Sequence, residues 1–175
     1  GGNGNSIVGV NSTISGGRGN NVTASHATIP GGENNNAQGD YAFAAGRGAT
    51  AAQGAFVWAD SSDFGFSSGV NSFSARCVGG ARFVSGLDTT GTPIAGVELV
   101  AGGGSWSSLS DRNAKENFSP VNSREVLERV NRMPITTWNY KSQDSAVRHI
   151  GPMAQDFAAA FQVGENDHRI TTVDA

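Results

Sequence analysis

Residues 1–15, GGNGNSIVGVNSTIS, begin a series of four units that continues with GGRGNNVTASHATIP, GGENNNAQGDYAFAA and GRGATAAQGAFVWAD and ends at residue 60. Each unit begins with glycine, and the period is 15 residues. Two positions of the unit hold only small or β-branched apolar residues: Ile7, Val22, Ala37 and Ala52 at the seventh, and Ile14, Ile29, Ala44 and Ala59 at the fourteenth. Such columns predict two short strands per unit, stacked turn on turn with these side chains inward.

Two other interpretations of the repeats are weaker. A segment rich in glycine and asparagine can be a disordered linker, but the identity of the columns argues against it. The stretch GGRGNNVTA suggests the nine-residue repeat of calcium-binding β-rolls, yet the period is 15 and asparagine stands where aspartate would bind the ion. We expect the glycine at the first position of each unit to lie in a turn that requires a positive φ or a close backbone approach.

Residues 1–60 resemble the head repeats of YadA-type trimeric autotransporter adhesins. The resemblance implies a left-handed parallel β-roll, packed three around an axis. A turn of about 15 residues built from Ala, Gly and Ser buries too little surface to stand alone, and symmetric association would bury the remaining apolar columns. Four aromatic residues are expected to form a capping or interchain core, with a surface for a glycan or another host-surface ligand as the alternative: Tyr41, Phe43, Phe56 and Trp58.

The composition of the chain changes near residue 109, since 23 of the 25 glycines precede Ser105. In residues 61–104, stretches with alternating apolar residues, such as NSFSARCVGGARFVSG, and the apolar stretch IAGVELV are separated by turn signals. This pattern predicts a β-rich connector interleaved between chains. It is expected to end in a flexible AGGGSWSS. The sequence of residues 105–175 predicts a small α+β domain. The predicted fold is therefore a mainly β homotrimer with a C-terminal α+β domain.

The C-terminal domain carries strong helix signals. The stretch NSREVLERVNRM predicts a helix capped by Asn122 and Glu125, with Pro134 ending it. Its apolar face is expected to comprise Val126, Leu127, Val130 and Met133. The stretch ITTWNYK predicts a strand, and HIGPMAQDFAAAF predicts a short strand at residues 149–150 followed by a helix. That helix is expected to have Pro152 near its first turn and a buried face of Met153, Phe157 and Phe161.

Three motifs in this order, SDRNAKEN (110–117), MPITTWNY (133–140) and HIGPMAQDF (149–157), resemble the endosialidase-type intramolecular chaperone domain of phage tailspikes and fibres. The resemblance covers about residues 105–175. It implies a trimeric domain that assists folding of the β structure upstream and then cuts itself off with a serine and a lysine. The family usually continues past VDA (173–175) into a long helix, so we expect this domain to be truncated and the chain to be a piece of a longer protein.

By this resemblance Ser110 attacks the carbonyl of Leu109, and Lys115 acts first as base and then as acid. A serine hydroxyl is a weak nucleophile until a base takes its proton, and Ser–Lys is a known variant of triad chemistry. Four residues are candidates for supporting roles: His149, Asp111, Asn113 and Gln155. His149 is expected to orient the serine, to donate to the oxyanion or to be structural. Asp111 and Asn113 are expected to shape the turn, and Gln155 to form a hydrogen bond at a helix start.

Other classes of function are not favoured. A net charge of −3 provides no basic surface for nucleic acid. No apolar run approaches the roughly 18 residues that span a bilayer, and no cluster of side chains has metal-ligand spacing, so neither direct membrane insertion nor a metal or cofactor is expected. The single Cys77 is expected to be a small buried hydrophobe. The resemblances imply an extracellular fibre, on a bacterial surface or of phage type, and the alternative is a structural trimer whose C-terminal domain assembles and caps the fibre without cutting.

Overall fold

The computed structural model describes residues 1–171 of the chain. The chain divides into two compact units, of which one comprises Gly1–Arg82 with Glu98–Trp106, and the other comprises Phe83–Val97 with the residues from Ser107 onward. The first unit contains the repeats, and the second contains both α-helices. The predicted fold class, mainly β with a C-terminal α+β part, is confirmed.

The repeats form a β-solenoid of five turns. Its strands, in chain order, are β1 Ser6–Ile7, β2 Thr13–Ile14, β3 Asn21–Val22, β4 Thr28–Ile29, β5 Gly32–Glu33, β6 Asn36–Ala37, β7 Phe43–Arg47, β8 Ala49–Ala51, β9 Phe56–Ala59, β10 Phe66–Ser67 and β11 Phe73–Arg76. One parallel ladder joins β1, β3, β6, β8 and β10. The other joins β2, β4, β7, β9 and β11, with β5 also beside β7. The ladders therefore continue beyond residue 60.

The predicted columns hold for three turns and then shift. Val22 pairs with Ala37, as the 15-residue period predicts. Ala37, however, pairs with Ala51 and not with Ala52. In the second column Ala44 pairs with Val57 and not with Ala59. The segments that lead into β8 and β9 are shorter than the corresponding segments of the earlier turns. In the fourth unit Ala51 and Ala52 both suit the first column, and Val57 and Ala59 both suit the second, so composition alone does not distinguish the two registers.

The interior of the solenoid is narrow and apolar. Its fully buried side chains are mostly alanine, and Val22, Ile29 and Val57 are the largest hydrophobic ones. Along the strands, these buried residues alternate with polar or bulky residues whose side chains face outward. In β9, for example, Val57 and Ala59 are buried and Phe56 and Trp58 are exposed. The inward columns are therefore confirmed for the middle turns, where Val22, Ile29, Ala37 and Ala44 are fully buried, whereas Ile7 in the first turn is 46% exposed.

Two asparagines, Asn20 and Asn35, are fully buried in this interior. Oδ1 of Asn20 accepts the backbone N–H of Asn35 at 3.0 Å. Nδ2 of Asn35 donates to the Gly46 carbonyl at 2.9 Å, and its Oδ1 accepts the N–H of Ala49 at 2.9 Å. This series of asparagine side chains, the buried asparagine ladder, begins at Asn5. It satisfies backbone groups that the turns would otherwise leave buried and unpaired. It was not predicted, although asparagine recurs at the fifth position of three units.

In the second and third units the glycine that the stacking requires is the second residue, whereas in the fourth unit it is the first, Gly46, which has φ +92° and lies against the Ala59 carbonyl as expected. Gly17 has φ +91°, and a Cβ added there would lie 2.1 Å from the carbonyl oxygen of Gly32 in the next turn. Gly16, the first residue of the same unit, has no positive φ. The expectation for the first position is therefore wrong in this unit, because the close approach between turns occurs one residue later.

The aromatic residues of the later turns lie on the outer surface of the solenoid. Phe56 stacks on Phe43 with ring centroids 4.5 Å apart, and on Phe73 at 4.9 Å. Tyr41 stacks on His26 at 5.1 Å. Phe73 is 71% exposed, so this column lies outside the core of its own chain. An interchain or glycan-binding role for these residues stays a prediction.

The last turn of the solenoid is closed by Asp60 and Arg76, each about 15% exposed. Oδ1 of Asp60 accepts the Arg76 Nε–H at 3.0 Å, and Oδ2 accepts the backbone N–H of Val78 at 2.8 Å. The Val78 N–H, with Ser62 and Arg76, holds the pKa of Asp60 well below its usual range, against the opposing effect of desolvation. Cys77, beside this pair in sequence, is half-buried and not fully buried as expected.

A three-stranded sheet follows the solenoid, in the order β12 Gly80–Leu87, β13 Pro93–Val100 and β14 Ser107–Ser108. The turns fall where glycine predicts them, after Asp88 and Val100. The expectation of a flexible AGGGSWSS is wrong at its end, because Ser107 and Ser108 add to the sheet as its third strand.

The remaining elements are helix α1 Ser123–Arg132, β15 Thr136–Trp138, β16 His149–Gly151 and helix α2 Ala154–Phe161. Strands β15 and β16 pair antiparallel. Asn122 caps α1, since its Oδ1 accepts the N–H of Arg124 at 3.1 Å, as predicted. Across residues 1–171, no helix is long and apolar enough to cross a membrane.

Two details of the helices differ from expectation. Leu127 is 69% exposed and does not line the groove with Val130 and Met133. Pro152, by contrast, lies directly before Met153, the N-cap of α2, and so near the first turn as expected. No residue of either helix is fully buried. The apolar faces are therefore only partly covered within one chain.

We predict that Asn35→Ala lowers the free energy of unfolding by about 2 kcal/mol or more, because it leaves buried backbone groups without partners. Asn36→Ala, whose side chain is only half-buried, is the matched control and should cost much less. Chemical denaturation followed by circular dichroism measures both. An equal loss of unfolding free energy in the two variants would contradict a structural role for the buried asparagine ladder.

We predict that Asp60→Asn lowers the melting temperature at pH 7 and that the difference from wild type narrows below about pH 4. A carboxyl whose pKa is lowered by folding stabilises the protein above its unfolded pKa, and this contribution is lost as the pH falls toward the folded value. Thermal melts over a pH series test this, with the exposed Asp63→Asn as control. A difference that does not change with pH would count against the ion pair.

Candidate functional site

A short turn brings Ser110 and Lys115 together. Residues Arg112–Ala114 form a single turn of 3-10 helix between them. Asp111 is its N-cap, and its Oδ1 accepts the backbone N–H of Asn113 at 2.9 Å and the side-chain Nδ2–H at 3.2 Å. An aspartate that bonds the backbone two residues ahead favours this conformation. The turn thus places the first and sixth residues of SDRNAK side by side.

The two side chains are in direct contact. Nζ of Lys115 lies 2.6 Å from Oγ of Ser110, which is hydrogen-bonding distance. Both residues are exposed in the single chain. A lysine amine at this distance is placed to take the hydroxyl proton whenever the amine is neutral. The pair therefore has the geometry of a nucleophile and its base.

The residue before Ser110 is held by the sheet. The backbone N–H of Leu109 donates to the carbonyl oxygen of Gly96, in strand β13, at 3.0 Å. This bond continues the pairing of β14, Ser107–Ser108, by one residue. The Leu109 side chain is 42% exposed. The peptide bond between Leu109 and Ser110 thus lies between a β-strand and the turn that carries the Ser–Lys pair.

His149 lies in an aromatic cluster. Its Nε2 is 3.0 Å from Oε1 of Gln143, and its ring packs on Trp138 at 4.7 Å and on Tyr140 at 5.8 Å. The structure does not bring it into hydrogen-bonding contact with Ser110. Nε1 of Trp138 is buried, and no acceptor for it lies within residues 1–171.

Gln155 lies on α2, where its Nε2 is 3.3 Å from Nδ1 of His168. Of the six predicted site residues, the turn therefore unites Ser110, Asp111, Asn113 and Lys115, whereas His149 and Gln155 have partners of their own. His26 and His168 are exposed. Among residues 1–171, no three His, Cys, Asp or Glu side chains are grouped to hold a metal ion.

An apolar groove of about 990 Å³ runs between the two helices. Its principal lining residues are Val126, Val130, Met133, Phe157 and Phe161. Arg129 bridges the helices, donating to the Ala160 carbonyl while pairing with Glu125. The groove was not predicted as such, although its lining comes from the predicted apolar faces.

The family model described as chaperone of endosialidase, which is peptidase-related, matches residues 110–163. No curated protein matches the chain significantly. No solved structure matches it significantly either. The matched segment begins at Ser110 and extends through α2, so it includes the Ser–Lys turn, the aromatic cluster and both helices. Together with the solenoid, this similarity fits a fibre-type protein with an assembly chaperone domain.

Proposed function

We propose that this chain is part of a trimeric extracellular fibre whose C-terminal domain assembles the upstream β-solenoid and then cleaves the chain between Leu109 and Ser110. The observation that carries the cleavage is the 2.6 Å contact between Lys115 Nζ and Ser110 Oγ. It occurs at the first residue of the segment that matches the chaperone family. An adhesin-like head, formed by the solenoid, is the role proposed for residues 1–60.

The proposed reaction is an acyl shift followed by hydrolysis. Oγ of Ser110 attacks the carbonyl carbon of Leu109 while its proton passes to the neutral amine of Lys115. The tetrahedral intermediate collapses when the carbon–nitrogen bond breaks, and Lys115 returns the proton to the departing nitrogen of Ser110. Water then hydrolyses the ester, which leaves a carboxylate on Leu109 and a free amine on Ser110. The attack is intramolecular, so proximity replaces substrate binding.

Assembly is proposed to switch this chemistry on. A lysine amine exposed to water is protonated at neutral pH, and in that form it cannot accept a proton from serine. Burial favours the neutral amine. Because Ser110 and Lys115 are both exposed in one chain, neighbouring chains would supply the burial that makes the pair competent.

The unsatisfied surfaces of the single chain support association. The groove between α1 and α2 is lined by apolar side chains, and neither helix has a fully buried residue. On the solenoid, Phe73 and Trp58 are exposed at 71% and 40%. A symmetric trimer would cover such surfaces in all three chains at once.

A second candidate is a structural trimer that assembles and caps the fibre without cutting. The exposure of Lys115 favours it, since the single chain does not bury the amine that would have to act as the base. A denaturing gel of the purified protein separates the two candidates. Fragments of about 109 and 66 residues indicate cleavage, because the bond between Leu109 and Ser110 divides the 175 residues of the chain into pieces of these lengths. A single full-length band indicates the structural trimer.

We predict that Ser110→Ala and Lys115→Ala both yield an uncut chain that still assembles, because each removes one partner of the reaction. Lys115→Arg should not restore cleavage, since a guanidinium stays protonated at any working pH. Denaturing gels measure the cut fraction, and terminal sequencing of the smaller wild-type fragment should read Ser-Asp-Arg-Asn. The wild-type rate should rise with pH, as expected when the base must be neutral.

The controls for this pair are Ser119→Ala and Lys141→Ala. Lys141 is the other lysine of the chain, and both control residues are exposed. Both variants should cut at the wild-type rate. A different amino terminus, or cleavage that persists in Ser110→Ala, would refute the mechanism.

We predict that residues 1–109, produced without the C-terminal domain, are insoluble or misassembled, because a repeat region with similar turns is prone to register slips. The full-length Ser110→Ala chain should form a soluble trimer under the same conditions. Native mass spectrometry and light scattering measure both. A stable full-length monomer at micromolar concentration would contradict the trimer, and a normal soluble trimer of residues 1–109 would contradict the chaperone role.

A further inference from the structure

The peptide segment that precedes the proposed cleavage point is bound as an edge strand. β14 pairs with β13, and the N–H of Leu109 extends this pairing to the carbonyl oxygen of Gly96 at 3.0 Å. An extended segment that adds to a sheet edge through backbone hydrogen bonds is a general mode of peptide recognition. Here the recognised segment belongs to the same chain and ends at the bond to be cut.

Gly96 has a backbone conformation that other residues do not readily adopt. Its φ is +152°, and a Cβ added to it would lie 2.3 Å from the carbonyl oxygen of Phe83 and 3.1 Å from the Cα of Val84. Both of these atoms belong to β12. A side chain at position 96 would therefore push β13 away from β12. The carbonyl that accepts the Leu109 N–H would move with it.

We propose that Gly96 is a positioning residue for the self-cleavage. Its carbonyl oxygen holds the N–H of Leu109, which restricts rotation of that residue and so directs the Leu109 carbonyl carbon toward Oγ of Ser110. The turn of SDRNAK fixes the nucleophile and its base, whereas β13 fixes the acyl group. This inference rests on the proposed function, because it assigns a role in the same reaction.

The physical reason is the sensitivity of intramolecular attack to orientation. Fixing two reacting groups in a productive geometry contributes much of the rate, and a misplacement of about 1 Å costs up to about a hundredfold. The contact of Lys115 with the Ser110 side chain fixes the nucleophile but does not by itself orient the carbonyl of the preceding residue. The hydrogen bond from Leu109 to Gly96 supplies that second restraint.

The test compares full-length Gly96→Ala with Gly104→Ala, whose added Cβ meets no atom within 4 Å. Each chain is refolded from denaturant, and cleavage is followed on denaturing gels over a pH series. We expect Gly96→Ala to cut about tenfold to a hundredfold more slowly, with the pH midpoint unchanged because the Ser–Lys pair is intact. Gly104→Ala should match wild type. In the Ser110→Ala background, Gly96→Ala should still form the trimer, with a lower melting temperature because its Cβ clashes with the backbone of Phe83.

A second pair of variants tests the hydrogen bond without altering β12 or β13. Leu109→Pro removes the amide hydrogen, whereas Leu109→Ala shortens the side chain and keeps that hydrogen. Leu109→Pro should cut about tenfold or more slowly than Leu109→Ala. This comparison decides the question if Gly96→Ala fails to assemble.

The outcomes separate the two proposals. Equal rates for Gly96→Ala and wild type, or for Leu109→Pro and Leu109→Ala, overturn the positioning role while a block by Ser110→Ala retains the proposed function. A shifted pH midpoint in Gly96→Ala also overturns it, since the defect would then lie in the Ser–Lys pair. A wild-type chain that stays whole, or a Ser110→Ala chain that is cut, overturns both.

Discussion

The close stacking of one turn upon the next is the constraint on which the solenoid depends. Strands of adjacent turns lie about 4.8 Å apart, so each inward side chain meets its equivalent one turn away. At Gly17 this spacing leaves no room for a Cβ beside the Gly32 carbonyl. At Asn20 and Asn35 the same spacing lets the side-chain amides bond the backbone of the next turn. The interior is consequently narrow, and alanine fills most of it.

A narrow interior has consequences for the outside of the molecule. The larger apolar groups of the later turns, such as Phe56 and Phe73, project outward because the core cannot hold them. The C-terminal unit has the same difficulty for a different reason, since two short helices bury none of their residues fully. Both units thus expose apolar surface that the proposed trimer would cover. A single symmetric association would serve the stability of both.

The proposed cleavage depends on local and on distant structure in different ways. The contact of Ser110 with Lys115 is built by one turn of 3-10 helix that Asp111 caps, and it needs no other element. The carbonyl that would be attacked is held through Gly96, which lies in another strand. The neutral amine that the chemistry requires depends on burial, which one chain does not provide. The proposed reaction therefore joins a turn, a sheet and an assembly, and it would occur once per chain.

The sequence by itself determined the stacked turns, the inward columns of small residues and the two helices, and its resemblance to the chaperone family pointed to Ser110 and Lys115. The first three follow from periodicity and capping residues, which are local properties of the chain. The tertiary structure decided the register of Ala51 and Val57, because neighbouring small residues fit the interior equally well. It decided that His149 bonds Gln143 and that Leu109 bonds Gly96, because these contacts join separate segments of the chain. No spacing in the sequence encodes such contacts, since they depend on how strands and turns meet in three dimensions.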